Sequence, residues 1–150
     1  MSDSKTETPW PEHTRPDGVS DATVSAAGKL SEALEFVERA RGHLYSFHQL
    51  MGGADLALGA AVQELRDAGH TAQADRVERE LIGRNVLPGR WTFQIVEEFD
   101  AGYWAVLRSH EQQVRAELVA GRQHLFEAEL KESRRTHGHP GHSARPEAGS

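Results

Sequence analysis

The chain of 150 residues is 37% hydrophobic and 27% charged, and its formal net charge is −6. This length fits one domain, and an acidic balance without a basic face excludes a typical nucleic-acid-binding surface. The absence of cysteine excludes disulfides, thiolate metal ligands and cysteine nucleophiles.

No secretory or membrane-spanning segment is evident. The longest apolar run, near residues 56–62, is far shorter than a bilayer requires. The N-terminus carries acids, prolines and threonines instead of a charged start followed by an apolar run. We therefore expect a cytoplasmic protein whose partner is neither a membrane nor a nucleic acid.

The two ends of the chain differ in composition from its middle. Residues 1–21 place three prolines among charged and small residues without any period, which predicts a disordered tail. Residues 137–150, rich in Gly, Pro and His, predict a second disordered tail. We expect residues 22–136 to form one all-α domain, a helical bundle of four to five helices.

The first half of that domain has a clear helical period. An apolar stripe at spacings of three and four predicts a helix over 22–51, which Gly52-Gly53 would end. Its members are Leu30, Ala33, Val37, Ala40, Leu44, Phe47 and Met51. A short pair follows, 54–68 and 72–83, with Gly69 as the C′ residue of one and Thr71 as the cap of the other.

The sequence pattern at the start of the second half is compatible with either a strand or a helix. Trp91, Phe93 and Ile95 alternate like a strand, but the chain offers no partner strand. We therefore predict a helix from Trp91 or Thr92, with a bend at Gly102 and a thinning apolar face that continues to about residue 136. Such a sparsely apolar helix would leave the core or pair with another copy of the chain.

A first candidate site lies on the polar edge of the first helix. Arg41, Tyr45 and His48 follow at spacings of four and three and so share one side. In one interpretation they form a pocket with the helix over 91–107, where Arg41 and Arg90 hold an anion while His48 and Glu97 move a proton. In the other, Arg41 or His48 only pairs with Glu97, Glu98 or Asp100 between two helices.

A second candidate site is the loop before residue 91. Arg84 and Arg90 flank an expected helix N-terminus, where free backbone N–H groups favour an anion. The loop lacks the phosphate-loop and dinucleotide fingerprints, and its arginines could equally cap carboxylates.

Histidines are numerous, but we expect no metal in the core and no cofactor. His43 and His48 are five residues apart, which turns them about 140° from each other on a helix. The tail residues His137, His139 and His142 are the remaining candidates, for adventitious Zn²⁺ or Ni²⁺.

Two stretches, residues 41–50 (RGHLYSFHQL) and 83–100 (GRNVLPGRWTFQIVEEFD), are similar to a family of small actinobacterial helical proteins of unassigned activity. The similarity covers about residues 25–107 and implies no catalytic residues. The excess of arginine over lysine, of which there are three, agrees with a GC-rich source.

The sequence therefore favours a non-enzymatic helical interaction or scaffold protein, whose partner is itself or another protein. The alternative is a small anionic-ligand-binding protein or enzyme with a pocket between helix 22–51 and helix 91–107.

Overall fold

The computed structural model describes residues 8–145 and confirms the all-α class. Its elements, in chain order, are a 3₁₀ turn (Pro11–His13), α1 (Asp21–Asp67), α2 (Thr71–Glu80), α3 (Thr92–Phe99), a π-helical turn (Asp100–Trp104), α4 (Ala105–Val119) and α5 (Leu125–Arg134). Within 8–145 there is no strand, only an isolated bridge between Leu87 and Arg90. No helix in this range has the length and apolarity needed to cross a membrane.

The longest helix, α1, continues through the Gly52-Gly53 pair, so the prediction of two helices broken there is wrong. A glycine inside a helix costs roughly 1 kcal/mol relative to alanine, which a long helix of good helix formers tolerates. The predicted end is confirmed: Gly69 has φ +85°, and the N–H of His70 donates to the carbonyl of Leu65 at 2.7 Å. Thr71 is not the cap of α2, because it is already the first helical residue.

The second half begins as predicted and then departs from a single long helix. The N–H of Trp91 donates to Oε1 of Gln94 at 3.0 Å, which fixes the start of α3 at Thr92. The expected bend at Gly102 is a π-helical turn. Ala120, Gly121 and His124 have positive φ, a conformation that no right-handed helix contains, so α4 and α5 are separate.

The chain divides into two compact units, and the first comprises residues 1–35 and 106–150. Its core is Val24, Val119 and Leu125, with Val19 and Ala27 packed against them. The predicted last helix that leaves the core is therefore wrong, because Val119 and Leu125 are buried in this unit.

A buried carboxylate also stabilises the first unit. Glu111 is only 6% exposed, and it accepts hydrogen bonds from Arg115 at 2.9 Å and from the hydroxyl of Ser31 at 3.0 Å. Because both of its oxygens have donors, this charge is satisfied inside the fold.

The second unit, residues 36–105, buries Val62, Ala74 and Val96. Less exposed residues recur along one side of α1 in this unit, among them Val37, Arg41, Leu44, His48 and Met51. Ala40 and Phe47, which were predicted to be core residues, are exposed instead. Two of the polar residues predicted as site candidates, Arg41 and His48, thus lie on the inward face of α1.

The tails are described in part, since residues 1–7 and 146–150 lie outside the described range. Arg15, in the expected N-terminal tail, donates two hydrogen bonds to Glu129, at 2.7 and 2.9 Å, and one to Asp21 at 2.7 Å. In the expected C-terminal tail, the guanidinium of Arg145 lies 4.4 Å from the centre of the Trp10 ring. These parts of the tails make specific contacts.

Candidate functional site

Arg41 is the centre of a polar cluster in the second unit. Its guanidinium donates two hydrogen bonds to the Asp100 carboxylate, at 2.7 and 3.1 Å, in the fork geometry that favours arginine. The Tyr45 hydroxyl donates to the same carboxylate and accepts from Arg41 at 3.2 Å. Asp100 was one of the three partners predicted for this arginine.

An aromatic ring also contacts the cluster. The Arg41 guanidinium lies 4.0 Å from the centre of the Trp104 ring, a favourable cation–π geometry. The indole N–H of Trp104 donates to Glu38 at 2.8 Å. Asp100 and Trp104 are the two ends of the π-helical turn, so this unusual turn brings both of them to one arginine.

These contacts shift the protonation equilibria of the cluster in a consistent way. Hydrogen bonds from Arg41 and Tyr45 hold the pKa of Asp100 below its usual value. The hydrogen bond to Asp100 raises the pKa of Tyr45, because the neutral phenol is the donor. At neutral pH Arg41 and Tyr45 are therefore two protonated donors paired with one carboxylate, that of Asp100. This arrangement holds α1 against the π-helical turn, and none of its three groups is free to transfer a proton.

The other predicted catalytic residues do not join this cluster. Nδ1 of His48 lies 2.7 Å from the Thr92 hydroxyl, and Arg90 pairs with Glu98. Glu97 is exposed and forms no side-chain hydrogen bond or ion pair with the rest of residues 8–145. His48, Arg90 and Glu97 therefore do not converge with Arg41 and Tyr45, and the predicted pocket of these five residues is absent from the second unit.

A different pocket, of about 450 Å³, lies beside these pairs in the second unit. It is open to solvent on one side, and its wall is mainly apolar, made by Met51, Leu58, Leu81, Val86 and Trp91. Arg84 and Asn85 of the predicted anion loop also line it. Sequence reasoning identified Arg84 but not the apolar wall, whose members are distant along the chain.

A third feature is an exposed row of side chains on α1, small or apolar at every position except His43, which we call the outer seam. Its eight positions alternate at spacings of four and three, and each is exposed. They are Phe36, Ala40, His43, Phe47, Leu50, Ala54, Ala57 and Ala61. No charged residue interrupts the row, which is the heptad pattern of a helix that packs against another helix.

Small residues border the outer seam along one edge. Ser46, Gly53 and Ala60 follow each other at intervals of seven, directly beside it. A Cβ added to Gly53 would meet nothing within 4 Å, so no packing inside the chain requires a glycine at this position. A second helix that approaches closely would provide such a requirement.

The histidines offer little for metal binding. Nδ1 of His139 and Nδ1 of His142 each accept a backbone N–H, at 3.0 Å, which occupies one ligand atom of each ring. Among residues 8–145, one set of three side chains brings ligand atoms within 4.8 Å of one another, Glu35, His124 and Glu127. All three are exposed, and none is among the tail histidines predicted from the sequence.

No protein-family model matches the chain, and comparisons with curated proteins and with solved structures gave no match. Function is therefore argued from the outer seam and the pocket alone.

Proposed function

We propose that this chain is a non-enzymatic helical protein that works as a homodimer, formed by the outer seam of α1 packing against the same seam of a second copy. The observation that carries the proposal is the row of eight exposed positions at heptad spacing, of which all but His43 are apolar. An exposed apolar surface of this length is unusual in a monomer and is typical of an interface.

The order of large and small residues favours an antiparallel pair. In an antiparallel two-fold dimer, residues whose numbers add to one constant face each other. With the axis between residues 48 and 49, Phe36 faces Ala61, Ala40 faces Ala57, and His43 faces Ala54. Phe47 and Leu50 face each other at the centre.

This register pairs every seam position with another seam position and places a small residue opposite Phe36 and opposite His43. A parallel pair would instead stack each of these residues on its own copy and leave four layers of two alanines, whereas the antiparallel register leaves two, both of Ala40 against Ala57. Layers of mixed size fill the space between helices without voids or strain. The small edge residues, Ser46 and Gly53 among them, would allow the two backbones to approach closely.

The free energy available is of the order that a reversible dimer needs. Phe36, Phe47 and Leu50 are 59%, 41% and 71% exposed. Full burial of such a side chain is worth about 1.5–3 kcal/mol, so covering all three in both copies yields about 5–10 kcal/mol before the alanines are counted. Since association itself costs about 4–15 kcal/mol, we expect a dimer whose population depends on concentration.

The remaining expectations form part of the same proposal. The chain would act in the cytoplasm. It has no cysteine and so no disulfide to form, and it therefore does not need an oxidising compartment. The similarity of residues 41–50 and 83–100 to an actinobacterial family supports only the origin of the chain and adds no activity.

Cysteine cross-linking tests the proposal directly, because the natural chain has no cysteine to interfere. Ala40→Cys and Ala57→Cys are prepared separately, mixed and oxidised. An antiparallel pair brings the two different cysteines together, while the same cysteine of two copies lies about 26 Å apart along the helix. We expect disulfide-linked dimers in the mixture and not in either variant alone.

Dimers from each variant alone, with none gained by mixing, would mean a parallel pair and would overturn the register. Ala128→Cys, on α5 and outside the seam, is the control for random collision. Cross-linking no greater than that of this control would overturn self-association through α1.

A further inference from the structure

We infer that the pocket of the second unit binds an amphipathic monocarboxylate, a small molecule with an apolar body and one carboxylate that Arg84 holds. The inference does not rest on the proposed dimer, although Ala54 borders both the pocket and the outer seam. Three observations support the inference: the composition of the pocket wall, the volume of the pocket, and an arginine, Arg84, whose side chain has no partner among residues 8–145.

The three arginines predicted to bind an anion differ in what they contact. Arg41 is paired with Asp100, and Arg90 is paired with Glu98. Arg84 forms no ion pair or side-chain hydrogen bond with any residue in the described range 8–145. Arg84 is thus the one of the three whose guanidinium donors remain available, and it is also the one that is a lining residue of the pocket.

The other charged side chain of the pocket, Asp55, keeps its negative charge and is tied to the neighbouring loop by one hydrogen bond. Oδ1 of Asp55 accepts the backbone N–H of Gly83 at 3.0 Å. This contact holds the loop that carries Arg84 close to α1. The available polar groups are then a guanidinium and the side-chain amide of Asn85, and both can donate to a carboxylate.

The apolar wall determines the rest of the ligand. Met51, Leu58 and Leu81 with Val86 and Trp91 present hydrocarbon and an indole face, which gain nothing from a purely polar anion such as phosphate. A volume of about 450 Å³ lies in the range of small-molecule sites and would accommodate an apolar body of about ten carbons. A cationic amphiphile would gain nothing from Arg84, whose charge has the same sign as its own.

Isothermal titration calorimetry of the full chain tests this with three probes of equal chain length, decanoate, decanol and decyltrimethylammonium, each below its micelle concentration. We expect decanoate to bind about 10- to 100-fold more tightly than decanol, as a charge-assisted hydrogen bond would provide. We expect decyltrimethylammonium to bind no better than decanol. Equal affinity for decanoate and decanol, or no binding of decanoate, would overturn the inference.

Substitutions then assign the effect to Arg84. Arg84→Gln should reduce decanoate affinity to that of decanol, and Arg84→Lys should recover part of the loss because it restores the charge without the planar fork. Arg79→Gln, an exposed arginine on α2 outside the pocket, is the matched control and should bind decanoate as the natural chain does.

Leu81→Asp should abolish binding of both decanoate and decanol, since it places a carboxylate in the apolar wall. Circular dichroism of each variant confirms that it is folded. Decanoate affinity unchanged in Arg84→Gln, or equally reduced in Arg79→Gln, would refute a specific site.

Discussion

Leu50→Glu is the substitution that best separates self-association from folding. Leu50 is 71% exposed in the single chain, so a glutamate there meets solvent and leaves the fold of the monomer intact. In the proposed dimer the same position lies next to the two-fold axis, opposite Phe47 of the second copy. The substitution would therefore affect the dimer and spare the monomer.

The magnitude follows from the exposed fraction. Full burial of a leucine is worth about 1.5–3 kcal/mol, so covering this exposed part stabilises the dimer by about 1–2 kcal/mol for each copy. Losing that contribution in both copies costs about 2–4 kcal/mol, which raises the dissociation constant about 30- to 1000-fold. Two carboxylates close together in an apolar layer increase the loss further.

Sedimentation equilibrium at several protein concentrations measures the dissociation constant of each variant. Leu56→Glu is the matched control, because Leu56 is 79% exposed on the same helix but lies off the outer seam. We expect Leu56→Glu to dimerise as the natural chain does. A natural chain that stays monomeric at all concentrations, or equal weakening by both substitutions, would refute the reasoning.

Three further predictions concern stability. Because Arg41 keeps the pKa of Asp100 low, their pairing stabilises the fold above about pH 4 and is lost as the pH falls through the lowered pKa. Thermal unfolding of Asp100→Asn should thus begin at lower temperature than that of the natural chain at pH 7 and converge with it in acid; a constant difference across pH would contradict this. Leu125→Ala, in the core of the first unit, should lower the free energy of unfolding in urea by about 2–5 kcal/mol, whereas Leu130→Ala on the exposed side of α5 should change it far less. Gly53→Ala should raise the thermal stability of the monomer, by up to roughly 1 kcal/mol, while it weakens dimerisation in sedimentation; a gain in both would show that no second helix approaches there.

Helix positions could be predicted from the sequence where local chemistry decides them. Gly69 ends α1 as expected, because a positive φ after a helix favours glycine. The start of α3 at Thr92 was also predictable, because an isolated strand has no partner for its backbone groups. The Gly52-Gly53 pair predicts a helix end that the structure does not have. Glycine only weakens a helix, and long-range context decides whether the helix continues.

The site could be predicted only in its components. The sequence named Arg41 and a short choice of acids that included Asp100, but it could not show that Tyr45 and Trp104 would complete the pairing. The outer seam was present in the sequence as a period of three and four. In the sequence pattern the outer seam cannot be separated from the inward face of α1. A helix with two apolar faces gives one broad stripe when only spacing is considered.

Ala54 belongs to both the outer seam and the wall of the pocket. A molecule in the pocket would thus lie beside the helix of the second copy, and the two equilibria would be linked. Thermodynamic reciprocity then applies: the factor by which an occupant changes the dimerisation constant equals the factor by which dimerisation changes affinity for that occupant. The apparent dissociation constant of the ligand would then depend on the protein concentration. The concentration at which half of the chains are dimeric would in turn depend on the amount of ligand.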